Sequence, residues 1–200
     1  MRTAAELREG FLSFFEERGH LRCPSYSLVP RAGDDSTLLT SAGMQPQMPF
    51  FLGFEPPPAL LTTTSQKVFR TVDIDEVGLD GHHLTFFEML GNFSFGQYFK
   101  EGAIALATEF IQERLGLDWD RIWVTVHAGD PALGLGEDKV AIDLWERIGM
   151  PRSRIVGLPS SENFWSVGGP GPCGPDSELY WDWGEEVSCG NADCAPGCTR

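Results

Sequence analysis

The 200-residue sequence is 42% hydrophobic and 12% aromatic, enough to bury a sizeable core in one domain with at most a small appendage. Its formal net charge of −14 excludes a broad basic surface for gripping nucleic acid, so any RNA contact is expected to be local or to come from other sequence. The N-terminal MRTAAELREG lacks the apolar core of a signal peptide, and no apolar run approaches the ~20 residues of a membrane span. Five cysteines, an odd number, point to a reducing cytoplasmic setting with free or metal-bound thiols rather than a disulfide framework.

Thr3 followed by Glu6 forms a capping box, so the first helix is expected to start there, with Leu7, Phe11, Phe14 and Phe15 as its apolar face and Gly19 closing it. Residues 21–29 read as extended, interrupted by Pro24 and stopped at Pro30. Leu38, Leu39 and Thr40 read as a short strand, and Ser41, Ala42, Gly43 and Met44 as a small-residue bend. Residues 62–70 (TTTSQKVFR) favour a strand. An acidic, glycine-containing loop over 71–83 then leads to a second strand, so the pair reads as an antiparallel hairpin with Arg70 at the loop's mouth and Phe87 on the returning strand.

The stretch 78–100 (GLDGHHLTFFEMLGNFSFGQYFK) holds five phenylalanines, one tyrosine, two adjacent histidines and four glycines. In an extended chain Leu84, Phe86, Glu88 and Leu90 face one way and Thr85, Phe87 and Met89 the other, which predicts a strand covered on both sides. Glu88 within it needs a partner, because an unpaired buried carboxylate is costly. Gly91-Asn92 is expected to break the strand and Gly96 to turn the chain before a helix. An arginine fork can chelate a phosphate and a phenylalanine can stack on a flat ring, so Arg70 with Phe87 suggests a nucleotide site. The same residues also suit a large aromatic core beside a solvated arginine.

A helix is predicted over 101–115, with Ile104, Ala107, Ile111 and Leu115 as the buried stripe and Gly116 at its end. Ile122, Val124 and Val126 alternate in a strand reaching His127, which reads as a satisfied core or edge residue. Val140, Ala141, Leu144, Trp145 and Ile148 form the next helix face, closed by Gly149, and 155–158 is a short strand. This order predicts an α+β fold: a mixed, mainly antiparallel sheet flanked by helices.

Residues 163–182 (NFWSVGGPGPCGPDSELYWD) interleave Gly168, Gly169, Gly171 and Gly174 with prolines. Glycine permits close backbone approach to a ligand and proline holds the loop in shape, but the Gly-Lys-Ser/Thr of a phosphate loop is missing. Cys173 reads as a small buried packing residue, with no base marked beside it. Cys189, Cys194 and Cys198 lie close together with glycine and proline between them. They suit either three ligands of a structural zinc site, completed by Cys173 or by a residue beyond Arg200, or unpaired thiols in a loose tail.

SQKVFR, EVG and HLTFFEMLGNFSFGQYFKEGAI together resemble the second signature motif of the alanyl-tRNA synthetases, which are class II aminoacyl-tRNA synthetases. The helix–strand start resembles the first class II motif, SAGM a segment that the family places near its nucleotide, and NFW…GPCGP..E a further family pattern. Two positions depart: His82 stands where the family usually has Arg, and Asp176 where it often has Cys or Ser. The resemblance implies a class II catalytic domain over 1–184, incomplete on its C-terminal side, and a Cys-rich tail or partial metal knuckle over 185–200. It implies ATP- and Mg²⁺-dependent activation of alanine and transfer to tRNA(Ala), with tRNA contacts, the third class II motif and an alanine-binding Asp in further sequence. By the same resemblance Arg70 binds the α-phosphate, Phe87 stacks on adenine, His82 and His83 approach the triphosphate, and Met44 pads the base. Trp165 forms a wall of the alanine pocket, though its residue type alone also suits an indole in the core, and Glu178 holds Mg²⁺ or the substrate ammonium or merely pairs with an arginine. A non-catalytic synthetase-like module that binds a nucleotide or amino acid remains the alternative.

Overall fold

Thr3 decides where the chain first becomes helical. Its hydroxyl accepts from the Glu6 amide at 3.2 Å while the Glu6 carboxylate accepts from the Thr3 amide at 2.7 Å, and this reciprocal cap starts α1 (Ala4–Glu16). The computed structural model of the protein describes all residues except 1, 35, 73, 80–82, 168–170, 192–193 and 199–200. The chain forms two compact units, Met1–Tyr98 and Phe99–Arg200.

In the first unit α1 buries Leu12, Phe14 and Phe15, whereas Leu7 is exposed and Phe11 half-buried. The apolar face is therefore shifted towards the helix's C-terminal half compared with the face expected from the sequence. Three strands follow in the order β1 (Leu21–Arg22), β2 (Leu61–Phe69), β3 (Phe86–Ser94). β1 runs parallel to β2, and β2 pairs antiparallel with β3 from Leu61↔Ser94 to Phe69↔Phe86. A short helix, α2 (Met48–Phe51), lies between β1 and β2 in sequence.

Four expectations are corrected here. The strand over 21–29 is only two residues long: Pro24 has no amide to donate, and beyond Cys23 the Gln66 side chain replaces the ladder, accepting from the Tyr26 amide at 2.8 Å and donating to its carbonyl at 3.1 Å. Leu38, Leu39 and Thr40 form no strand; Thr40 alone bridges, donating to Leu28 O and accepting from the Phe69 amide, and Leu38 is 95% exposed. Gly91 and Asn92 do not end β3 but pair with Thr64 and Thr63. The Phe93 ring covers Gly91 so closely that a Cβ there would sit 2.9 Å from it, so the glycine makes room for a ring instead of breaking the strand. Finally, β3 is covered on one face only: Phe86, Glu88 and Leu90 are exposed, and Phe87 and Met89 are half-buried.

The second unit begins with α3 (Lys100–Glu109), which widens into a π-helical segment, Phe110–Leu115, and ends at Gly116 with φ 64°. Ile104 and Ile111 are buried as expected, but Ala107 and Leu115 only half so. Next come β4 (Ile122–His127), α4 (Lys139–Arg147), β5 (Ile155–Leu158), α5 (Ser160–Asn163), β6 (Phe164–Ser166), β7 (Cys173–Pro175) and β8 (Ser177–Trp181). One sheet has the order β5-β4-β8, with β5 parallel and β8 antiparallel to β4, while β6 and β7 form a separate antiparallel hairpin. Val124, Val126, Ile104, Ile142, Trp145 and Ile155 belong to its core. Val140, expected on the buried face of α4, is 60% exposed, and Ile142 is buried in its stead. The Trp145 indole donates to Ser177 Oγ at 2.8 Å, and that hydroxyl donates to Thr125 O, so the largest buried ring is also polar-satisfied. The whole is α+β with mixed, mainly antiparallel sheets, as the element order predicts.

Candidate functional site

The β2–β3 hairpin delivers Arg70 and Phe87 to one place. Val68 pairs with Phe87, and the Arg70 amide donates to Thr85 O at 2.8 Å, so the mouth of the loop is closed by backbone. The half-buried guanidinium sits with Cζ 5.5 Å from the Phe87 ring centroid, within cation–π range, while its Nε donates to Ser41 O at 2.8 Å. Gly43, from the same SAGM bend, donates its amide to Met89 Sδ at 3.2 Å. Met89 shares a strand face with Phe87, so the bend is held against the hairpin at two points. Met44 is half-buried and begins a 3₁₀ turn, Gln45–Gln47. His83 is exposed; the expectation for His82 lies outside the described residues.

Glu88 is exposed rather than buried, so it does not require a partner, yet it has one on the face away from Phe87: Arg8 of α1 reaches it with Nε at 2.9 Å and Nη2 at 2.7 Å. Both groups are about one-third exposed, so this is a surface ion pair contributing at most about 1 kcal/mol. An open depression of about 470 Å³ runs along residues 29–38, past Arg31 and Asp34, and is lined by neither Arg70 nor Phe87.

In the second unit Trp165 is 37% exposed on β6, opposite Gly174, and so is not a core indole. Its hairpin is pinned at the base. Asn163 is fully buried; its Nδ2 donates to Asp176 Oδ1 at 2.9 Å and its carbonyl accepts from the Asp176 amide at 3.2 Å. Cys173 is exposed, which corrects the expectation of a buried packing thiol: it pairs through its backbone with Ser166 at the loop end of the hairpin, away from the pinned base. Glu178 is exposed on β8, and one of its oxygens accepts from the Tyr180 hydroxyl at 2.7 Å. Burial, the hydrogen bond to Glu178 and that carboxylate's charge push the Tyr180 phenol up to about 12.

His127 is fully buried and satisfied, as the sequence suggests. Its Nδ1 accepts from the Gly129 amide, so Nε2 carries the proton and donates to Ser160 Oγ at 2.9 Å; Ser160 in turn donates to Asp130 at 2.7 Å. The serine proton is committed to the aspartate and not to the imidazole, so these three residues brace a loop and do not form a nucleophile–base pair.

Cys189, Cys194 and Cys198 converge: their Sγ atoms all lie within 4.8 Å of one another. The Cys189 thiol is lowered from its ordinary value by the Asn191 amide and by the neighbouring thiols of Cys198 and Cys194. Cys173 is not part of this group among the described residues.

Comparison with known families matches residues 6–196 to the family described as "tRNA synthetases class II (A)". The chain belongs to this family, the alanyl class II tRNA synthetases. Among curated relatives it is 51% identical over 194 residues to the "Alanine--tRNA ligase" of Thermoanaerobacter sp., 49% over 199 residues to that of Dehalococcoides mccartyi, and 52% over 189 residues to that of Rubrobacter xylanophilus. These matches cover 96%, 99% and 94% of this chain but only 21%, 22% and 21% of the relatives, so the chain spans about a fifth of their length. No helix among the described residues is long and apolar enough to cross a membrane.

Motif reading singles out Arg70 and Phe87, which the hairpin brings together, and alternation along β3 puts Met89 on the same face as Phe87. It places Ser41 in the bend but not its carbonyl's bond to Arg70, and it misses the Asn163–Asp176 pair, whose side-chain bond connects residues on either side of a hairpin.

Proposed function

We propose that the polypeptide carrying this chain is an alanine–tRNA ligase and that residues 1–184 are the front of its adenylation domain. In the first step the alanine carboxylate attacks the ATP α-phosphorus, the bond to the β-phosphate oxygen breaks, and pyrophosphate leaves. In the second, a hydroxyl at the tRNA(Ala) 3′ end attacks the adenylate carbonyl and AMP leaves. Positioning and charge neutralisation supply the rate, because no residue of this chain needs to form a bond to substrate. The single observation that carries the assignment is the Arg70–Phe87 pair: a guanidinium tethered by Ser41 O over an aromatic ring, in a chain of this family.

In this reading Arg70 holds the α-phosphate, Phe87 stacks on adenine, Met44 pads its edge and His83 meets the outer phosphates. Trp165 shapes the alanine pocket. Glu178 keeps one carboxylate oxygen beside the one bonded to Tyr180 and supplies the hard donor that either Mg²⁺ or the substrate ammonium requires. Mg²⁺, where bound, neutralises charge on the departing pyrophosphate. The three converging thiols suit Zn²⁺, which takes thiolate ligands in a tetrahedral set, with the fourth ligand from another residue. The tRNA binds mainly through other regions, consistent with the acidic balance here, and the enzyme works in the cytoplasm.

The test is ATP–pyrophosphate exchange by the full-length polypeptide. Exchange that depends on alanine supports the ligase; a folded polypeptide that binds nucleotide but exchanges nothing is instead a synthetase-like binding module.

A further inference from the structure

The Ser41 backbone is held at both its amide and its carbonyl. Its carbonyl accepts from Arg70 Nε at 2.8 Å, and its amide donates to Gln45 Oε1 at 2.9 Å. The other end of the Gln45 amide donates from Nε2 to Asp34 Oδ2 at 2.9 Å and to Thr37 Oγ1 at 3.0 Å. These partners fix the amide's orientation, because an N–H faces one end and a carboxylate the other. Asp34 is anchored in turn: it accepts from the Ser36 amide at 3.2 Å and from the Ser36 hydroxyl. Burial alone would raise the Asp34 carboxyl, but the hydrogen bonds from Ser36 and Gln45 outweigh it and hold it below its ordinary value. A line of polar contacts therefore runs from Asp34 through Gln45 and the Ser41 backbone to the guanidinium.

Arg70 has several rotatable bonds, and the Phe87 ring restrains it only weakly in direction. The Ser41 carbonyl gives it a directional contact, and that carbonyl is only as well placed as the bend that carries it. We propose that Gln45 is a positioning residue for nucleotide binding: its amide holds the Ser41 backbone, and through it the direction in which Arg70 presents its remaining N–H donors. The proposal rests on Arg70 being the phosphate-binding group.

The test exchanges the polarity of the Gln45–Asp34 contact in the full-length polypeptide and reads KM for ATP and KM for alanine separately by pyrophosphate exchange. Gln45→Glu keeps an acceptor for Ser41 but sets a second carboxylate against Asp34. Asp34→Asn keeps an acceptor for either Ser36 or Gln45 and loses the other. In the double variant the new amide at position 34 donates to the new carboxylate at position 45 while its oxygen still serves Ser36, so the line is rebuilt with reversed polarity. Each single variant is expected to raise KM for ATP roughly tenfold and leave KM for alanine within about twofold, and the double to recover most of the loss. Arg70→Ala is measured alongside. If it raises KM for ATP but Gln45→Glu does not, or the double fails to recover, or both KM values rise together, the positioning role is overturned and the phosphate site stands. If Arg70→Ala leaves KM for ATP unchanged, the phosphate site itself is wrong and the positioning role falls with it.

Discussion

Removing the Asp176 carboxylate should loosen the hairpin that carries Trp165. Asn163 is fully buried, its Oδ1 has no partner among the described residues, and its Nδ2 depends on Asp176 Oδ1 at 2.9 Å. Asp176→Ala leaves that buried donor unmet, at a cost of about 1–3 kcal/mol. Asp176 is itself half-exposed, so water can replace part of the lost acceptor and the lower half of the range is expected. The backbone bond between the two residues survives the substitution, but at 3.2 Å it is the weaker of the pair. If the loss falls on local opening, amides in β6 and β7 should exchange roughly 5–30-fold faster, while those of β4 stay protected. Hydrogen exchange read by mass spectrometry on the full-length polypeptide resolves this. Asp176→Asn keeps the accepting oxygen and loses only its charge, so it should fall between wild type and Ala. Unchanged exchange in Asp176→Ala, or equal effects of Ala and Asn, would refute the reasoning.

Three other outcomes follow from the same geometry. His20 is buried, with Nδ1 bonded to Phe15 O and Nε2 to Tyr98 OH, and burial, against backbone hydrogen bonds at Phe15 and Arg18, holds its pKa below the ordinary 6.5. The unfolded chain therefore takes up the proton first: the stability linked to His20 is complete above pH 6.5 and lost as pH falls from there through the lowered value, and His20→Gln should flatten the slope of urea-unfolding free energy across that window. Gly91→Ala places a Cβ 2.9 Å from the Phe93 ring, and overpacking of this kind costs about 1–3 kcal/mol; Phe93→Leu in the same chain should recover part of it, as a double-mutant unfolding series would read. The purified full-length polypeptide should carry zinc at residues 189–198, and Cys194→Ser should lower the metal content by one ion per chain; metal analysis that finds no zinc removes the ion from the account.

Periodic and capped elements were legible because local chemistry decides them: the Thr3 box, the alternation of β4 and the glycines at 19, 116 and 149 all act within a few residues of themselves. Expectations failed where a distant group took over. Gln66 displaced the strand pairing of Tyr26 from 40 residues away, and the Phe93 ring turned a strand-breaking glycine into a packing one. β3 could not be read as exposed on one face, since its sequence is apolar on both. In the candidate site the charged and aromatic members were visible as residue types, whereas the groups bonded behind them, the Ser41 carbonyl and the Gln45 amide, show only in coordinates.

The proposed ligase activity stands or falls with Arg70, set over Phe87, binding the ATP phosphates. Titration of ATP into full-length Arg70→Ala tests it most directly, with circular dichroism as the check on folding. Loss of a charge-assisted contact of about 1.5–3 kcal/mol predicts a dissociation constant raised roughly 10–150-fold on an intact fold. Unaltered ATP affinity, or a variant that unfolds because the guanidinium was holding Ser41 for structure alone, would contradict it.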